Sequence, residues 1–454
     1  MPACLGPYAA LPNNEVCLNP AAGPPKRDHV LSRLAEAIPS SYTPQPTLRS
    51  GILGSSGDEV TSIPSSRKNQ QARGFVALGD SYSAGIGTGI DDKELPSEGD
   101  CRHGVHAYPQ LIHHDLNNAT GLNTTLQWLS CTGAVTTDLL SGAAKGGGRG
   151  QVDLLNTSQP VDFATLSIGG NDLGFFDVMN ACIFRFYSFY SGTCEAALEA
   201  ADAAVKSSVF EQRLEVILQE VLDKVAWEKR PRFSITVTGY ARFFNAETPE
   251  CDDMSLGVWY GGPKLSREIR RRMNELVVAA NAKLRRTVGI IDGRFSGARP
   301  RVLFVDYDDL FEDHRFCEPG VLEPAYNRTE SWFFLIGGPD NARNETTWPN
   351  GTNGDPESTR YQRERILSPL SPLVDYHTCL MHAQERGDWG ELALCYMAMA
   401  KHRDPSLRPA YSRITTQNSM WWVPTYYGKV FHPRTLGHEA IRDRIYQVWE
   451  KYGL

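Results

Sequence analysis

Short, uninterrupted apolar runs recur along this chain from residue 74 onward, each about the length of a strand. Phe75–Leu78 comes first and ends at Gly79; Leu126–Leu129, Phe163–Ile168, Phe233–Thr238 and Val302–Val305 follow. A strand with one wet face alternates apolar and polar positions. A strand that is apolar throughout is covered on both faces, as in a parallel sheet. Between these runs the period changes to that of helices. Ala196–Trp227 alternates apolar and charged residues at helical spacing. Lys264–Thr287 places Ile269, Met273, Leu276, Val277 and Leu284 on one face, and Leu436–Trp449 closes the chain. Strands alternating with helices predict an α/β fold, a parallel sheet covered on both sides.

Two stretches fall outside this rhythm. Residues 1–70 are rich in Pro, Ser and Gly, with one helix-like stretch at His29–Ile38, and read as a mostly disordered leader or pro-segment. The main domain then runs over 71–454, interrupted at 317–428 by an insertion rich in Pro, Asn, Gly and aromatics. Within it Cys379–Met399 reads as a short helical hairpin, and the whole has the character of a lid or rim. No internal repeat is visible.

Composition narrows the class. At 454 residues, 41% hydrophobic and 22% charged, the chain can bury a sizeable core and is not wholly disordered. A net charge of −7 disfavours nucleic acid as the main partner, because such proteins concentrate positive charge. No apolar run reaches the ~18 residues of a membrane-spanning helix. A monomer is expected.

The unusual figure is 10 Cys. No C-x-x-C pair is present, so the usual zinc spacing is absent. Six N-x-[ST] sequons start at Asn118, Asn123, Asn156, Asn327, Asn344 and Asn350. Sequons together with an even cysteine count point to a secreted, disulfide-bonded glycoprotein. The amino terminus does not match that simply. Met1–Asn19 contains Pro2, Pro7 and Pro12 and lacks a charged region followed by an apolar one, so no signal peptide is visible in it. Lys26-Arg27 has the form of a processing site, though a solvated charge pair is the plainer reading.

Four motifs carry chemistry. Gly79-Asp80-Ser81-Tyr82-Ser83-Ala84-Gly85 follows the first strand directly, placing a serine at the carboxyl end of a parallel strand, where open α/β sheets build their sites. The next helix would turn its amino terminus, with its free N–H groups, toward an oxyanion. Gly169-Gly170-Asn171-Asp172 follows the third run, with an Asn side chain as a neutral donor. Ser130-Cys131-Thr132-Gly133-Ala134 follows the second, and Gly133 offers an unencumbered backbone N–H. His432-Pro433 lies in a loop opening the last helix, from which a base can reach another loop. Each alone has a plain structural reading as a turn or a cap. In this order they supply a nucleophile, two oxyanion donors and a base.

With these four blocks the sequence resembles the SGNH, or GDSL-type, hydrolase superfamily. Gly79-Asp80-Ser81 is similar to its first block, Gly133 to the second, Gly169-x-Asn171-Asp172 to the third and His432-Pro433 to the last. The likeness is greatest to the secreted esterases and lipases of actinobacteria and fungi. It rests there on Cys101 before Ala107-Tyr108-Pro109, on the Ser130–Ala134 run, and on Cys182 and Cys194. The resemblance implies a three-layer α/β/α, flavodoxin-like sandwich around a mostly five-stranded parallel sheet. It implies Ser81 as nucleophile, His432 as general base, and an oxyanion hole from the Ser81 and Gly133 N–H groups and the Asn171 side chain. It implies carboxylic-ester hydrolysis without a metal or organic cofactor, on a small-molecule, lipid or acylated-glycan ester. Glycan deacetylation and non-catalytic glycan binding are the alternatives within the superfamily. The resemblance also implies disulfides Cys101–Cys131 and Cys182–Cys194; three further pairs, Cys251–Cys317, Cys379–Cys395 inside the hairpin and Cys4–Cys17 from what remains, are expectations beyond it.

One position departs from the family pattern. The Asp usual three residues before the His is Lys429 here, and a lysine side chain cannot accept a hydrogen bond from imidazole. The expected substitute is the Lys429 backbone carbonyl, giving a Ser–His dyad, with Asp375 as the weaker candidate. Three other readings compete. Gly85-x-Gly87-x-Gly89 suggests a dinucleotide loop, but the last slot of that fingerprint falls on Ile90. His377, Cys379, His382, Cys395 and His402 suggest a metal, but at no common zinc spacing, and a disulfide-pinned hairpin fits better. Trp421, Trp422, Tyr426 and Tyr427 fit an acyl or sugar pocket and fit a core equally well.

Overall fold

In the computed structural model the described residues are 73–89, 100–121, 123–142, 149–184, 193–256, 264–295, 297, 299–325, 328–335, 338–342 and 425–454, with 9–10 and 16–17. Five of the apolar runs become five strands: β1 Gly74–Gly79, β2 Thr125–Trp128, β3 Phe163–Ser167, β4 Ile235–Thr238 and β5 Val302–Val305. They form one all-parallel sheet in the order β2-β1-β3-β4-β5. Every residue of β1 and β4 is buried, including Thr236 and Thr238 of β4, as strands covered on both faces require. The order reverses at β1, whose neighbours β2 and β3 take the chain to opposite sides. A crevice opens at such a point, outside the carboxyl ends of the strands.

The helices that frame the site and the sheet are, in chain order, α1 Ser81–Ala84, α2 Tyr108–Thr120, α3 Cys194–Lys206, α4 Val209–Lys224, α5 Arg267–Asp292 and α6 Thr435–Tyr452, with shorter helical turns between them. α2 and α6 pack on each other and on one face of the sheet. There Trp449 of α6 meets the Phe163 ring edge-on at 4.9 Å and donates its indole N–H to Thr236 Oγ1 at 2.8 Å. α4 and α5 lie on the other face, with α3 packed on α5. The result is the expected three-layer α/β/α sandwich. Ser266 starts α5 by accepting the Ile269 N–H. Met273, Leu276, Val277, Ala280, Leu284, Val288 and Ile291 are its buried stripe at helical spacing.

Two helical expectations change. The long pattern over Ala196–Trp227 is two helices, α3 and α4, because Ser207 and Ser208 interrupt it. Ser207 is extended (φ −67°, ψ 143°), and its hydroxyl accepts the Val209 N–H at 3.2 Å. A serine that bonds the nearby backbone competes with the helix ladder. α2 was not legible from periodicity; it begins at Tyr108 with Pro109 in its first turn, where a missing N–H costs nothing.

Among the described residues three disulfides are formed: Cys101–Cys131, Cys182–Cys194 and Cys251–Cys317. The expected pairs Cys4–Cys17 and Cys379–Cys395 fall wholly or partly outside the described residues, as do Asp375, the His377–His402 group, Trp421 and Trp422. In the segment 317–342, Cys317, Phe333, Phe334 and Leu335 are buried in the body of the domain. An isolated antiparallel pair, Ala9–Ala10 with Val16–Cys17, lies in the amino-terminal segment. Among the described residues no helix is long and apolar enough to cross a membrane.

Candidate active site

The chain leaves β1 at Gly79 with φ +126°, and a Cβ there would lie 1.9 Å from the Ser167 carbonyl oxygen, so only glycine fits. This lets β1 and β3 end side by side, with the Asp80 N–H donating to the Ser167 carbonyl at 2.8 Å. Asp80 is the N-cap of α1; its carboxylate accepts the Tyr82 N–H at 3.0 Å. α1 is one turn long and ends at Gly85 in the left-handed region. Ser81 is thereby held at the carboxyl edge of the sheet, 6% exposed.

His432 comes from a turn before α6. Its Nε2 lies 2.6 Å from Ser81 Oγ, across 351 residues of sequence. Its Nδ1 faces the Val430 carbonyl oxygen at 3.1 Å. A carbonyl only accepts, so Nδ1 carries the proton and Nε2 presents its lone pair to the serine. Burial lowers the imidazole pKa from 6.5 to about 4, against the pull of the Val430 and Lys429 backbone, and the buried Arg102 lowers it further. The ring is therefore a neutral base at pH 7. The carbonyl expected in this role was that of Lys429. That carbonyl also closes the turn, accepting the His432 backbone N–H at 2.9 Å, and the Lys429 and Val430 backbone together pull the imidazole pKa up.

The turn itself is under strain and is held from several sides. Phe431 has φ +63°, uncommon for a non-glycine residue. Its N–H donates to the Phe334 carbonyl, and the Phe334 N–H donates to the His432 carbonyl, both at 3.0 Å. Its ring packs against Phe243, Phe244 and Phe316. Tyr82, next to the nucleophile, donates its hydroxyl to the Phe431 carbonyl at 2.8 Å. Arg434, the N-cap of α6, offers no side-chain cap. Asp340 supplies one from 95 residues away, accepting the Thr435 N–H and hydroxyl at 2.8 and 2.6 Å and the Gly89 N–H at 3.2 Å.

The second and third motifs are joined to each other and to this pair. Asn171 donates its side-chain amide to the Ala134 carbonyl at 2.9 Å. An amide NH2 has two hydrogens, so this bond does not exhaust it. Asp172 accepts the Thr136 N–H and hydroxyl, and burial raises its pKa. The Cys131 N–H donates to the Gly79 carbonyl at 2.9 Å, bringing the Gly133 turn beside the end of β1. Gly169, at φ +127°, passes under the Phe210 ring of α4, where a Cβ would sit 2.6 Å from a ring carbon. Ser81 and His432 thus meet at the carboxyl end of β1, and the turns that carry Gly133 and Asn171 leave the neighbouring strand ends. Asp375 lies outside the described residues.

Three residues of the site were not singled out from sequence. Tyr82 was quoted only as part of a motif. Tyr240 lies two residues past β4, at a strand end of the kind that drew attention to the other motifs, so examining all five strand ends would have found it. Gln151 pairs its side-chain amide with both the N–H and the carbonyl of Gly79, at 2.8 and 2.9 Å. No sequence signal marks that role.

A serine hydroxyl thus lies against a neutral imidazole at the switch point of an open parallel sheet. The chain belongs to the GDSL-like lipase/acylhydrolase family, whose family model matches residues 77–319. It is 31% identical over 201 residues to Lipase 1 of Streptomyces coelicolor, covering 44% of this chain and 65% of that one. It is 32% identical over 174 residues to a lipase of Streptomyces rimosus, covering 38% and 54%. The match thus spans less than two thirds of either relative. Among solved structures, phospholipase A1 from Streptomyces albidoflavus aligns at 28% identity and a TM-score of 0.41, over 59% of this chain and 88% of that one.

Proposed function

We propose that this protein is a secreted serine carboxylic-ester hydrolase that works through Ser81 and His432. The observation that carries the reading is the 2.6 Å contact between His432 Nε2 and Ser81 Oγ, with the ring tautomer set by the Val430 carbonyl. Ser81 Oγ attacks the ester carbonyl while His432 Nε2 takes its proton. The oxyanion is received by the Ser81 and Gly133 N–H groups and the Asn171 amide. His432 then gives its proton to the leaving alcohol, and water activated by the same ring releases the acid from the acyl-enzyme. One oxyanion donor of this kind is worth ~10²–10³ in rate. The pair acts as a dyad, because a main-chain carbonyl orients the ring. Relatives named as lipases support a fatty-acyl ester as substrate. Three disulfides support an oxidising compartment. The described sequon residues Asn118, Asn123 and Asn156 are all exposed, as glycan carriers must be.

Ser81→Ala is the test. It should abolish fluorophosphonate labelling and lower p-nitrophenyl ester hydrolysis at least about 10³-fold, with the fold unchanged by circular dichroism. Hydrolysis at near wild-type rate in that variant would sink the assignment. A substrate panel from p-nitrophenyl acetate to palmitate, together with acetylated xylan, separates lipase from glycan deacetylase.

A further inference from the structure

Tyr240 joins two parts of the site. Its hydroxyl donates to Asp80 Oδ2 at 2.6 Å and accepts the Gly170 N–H at 3.0 Å. Asp80 caps the turn that carries Ser81; Gly170 precedes Asn171. The tyrosine is itself held. Asn281 of α5 accepts the Tyr240 N–H at 2.9 Å and donates to its carbonyl at 2.8 Å. Its ring meets Tyr82 edge-on at 5.0 Å and Phe175 edge-on at 6.1 Å. The residue is 2% exposed.

Hydrogen counting fixes the protonation this arrangement needs. Asp80 Oδ1 accepts both the Tyr82 N–H and the Ser167 hydroxyl, at 3.0 and 3.1 Å. A proton on the carboxyl would therefore go to Oδ2, pointing at Tyr240. The tyrosine oxygen would then accept from two donors, and its own hydrogen would be buried without the Asp80 acceptor. Only the ionised carboxylate satisfies every group. We propose that Tyr240 is a positioning residue that locks the Ser81 turn to the Asn171 turn, and that the lock is complete only with Asp80 ionised. The proposal rests on the ester-hydrolase reading of the site for its effect on rate.

The surroundings of Asp80 make that ionisation responsive near neutrality. Burial raises its pKa to about 7, opposed by the bonds from Tyr240, Tyr82 and Ser167 and assisted by the charge of Asp172. Burial pushes up the hydroxyls of Tyr108 of α2 and Tyr307 after β5, and the nearby Asp80 charge adds to both. Among these described neighbours none is a cation. His432, at about 4, is neutral well below this range. The acid limb of kcat/KM for the wild-type chain should consequently fall at about pH 7 and not at about pH 4.

Tyr240→Phe and Asp80→Asn are compared with wild type. In Tyr240→Phe the bond that lowers the Asp80 pKa is gone, so the acid limb moves to higher pH. At pH 7 kcat falls about 10–100-fold with KM within about twofold, since misplacement and not binding is affected. In Asp80→Asn the amide does not titrate; activity is reduced, and the limb near pH 7 disappears, leaving that of His432. A Tyr240→Phe enzyme with wild-type kcat and acid limb overturns the proposal. Amide hydrogen exchange gives an arm independent of activity: protection at residues 80–84 and 169–172 should fall together in Tyr240→Phe. If wild type is not labelled by fluorophosphonate but the two turns loosen together, the ester-hydrolase reading fails and the lock stands. If the turns keep wild-type protection, the lock fails.

Discussion

His438 gives the most direct test of how burial sets stability in this protein. It lies in the first turn of α6, fully buried, with its ring near that of Tyr108 and its Nδ1 accepting the Tyr108 backbone N–H at 3.3 Å. Burial lowers its pKa from 6.5 to about 3, with His432 and His106 pushing the same way. A group whose folded pKa is depressed gives stability that is present above its unfolded pKa and lost as pH falls. For His438 the loss begins near pH 6.5 and continues down to about pH 3. At pH 5 the unfolded imidazole is protonated about 30 to 1, while the folded ring is still neutral. That ratio corresponds to about 2 kcal/mol of unfolding free energy. His432, depressed to about 4, adds a similar loss. Asp80 works in the opposite direction. Its folded pKa is raised from 3.8 to about 7, so between these values the folded state holds the proton more tightly and gains stability as pH falls. His438→Gln isolates one contribution, because glutamine keeps an acceptor for the Tyr108 N–H and does not titrate. Urea unfolding at pH 7 and pH 5 measures it. The wild-type chain should lose about 2 kcal/mol more than the variant between the two pH values. Equal losses in both would refute the burial account of His438.

Other outcomes follow from the same contacts. Gly79→Ala puts a Cβ 1.9 Å from the Ser167 carbonyl at a backbone φ of +126°. It should cost roughly 3 kcal/mol or more, read as a lowered melting temperature, and a change within about 0.5 kcal/mol would show that β1 and β3 are not pressed together there. Asp375→Asn and Lys429→Ala should both keep kcat/KM near wild type, because the Val430 main-chain carbonyl orients His432. Loss of hydrolysis in Asp375→Asn would make that carboxylate the orienter.

The sheet was legible because its signal is local. All five runs became strands, and burial on both faces keeps them rich in apolar residues, with small polar ones such as Thr165 and Thr236 the exceptions. The α3–α4 break was not foreseen, because the apolar and charged pattern continues through Ser207 and Ser208 and only a capping bond stops the helix. The motifs at the strand ends were legible for a similar reason: Gly79 and Gly169 are needed where the chain takes a conformation closed to other residues. The resemblance suggests that a carbonyl can replace the missing Asp, but only the turn geometry at Phe431 brings the Val430 carbonyl to Nδ1.

The chain by itself determined the layers of this fold, the strand ends that carry Ser81, Gly133 and Asn171, and the loop that carries His432. Each follows from period, glycine placement or side-chain chemistry over a few residues. The tertiary structure alone decided how these pieces meet. Tyr240 reaching Asp80 across 160 residues, Tyr82 reaching Phe431 across 349, and Asp340 capping α6 from 95 residues away are ordinary residues until the fold brings them together. The physical reason is that a hydrogen bond records nothing in the sequence beyond two polar residues. Which donor finds which acceptor depends on the packing of the sheet and helices between them. In this protein that packing sets the charge of Asp80 and His432 and brings Ser81 to the base.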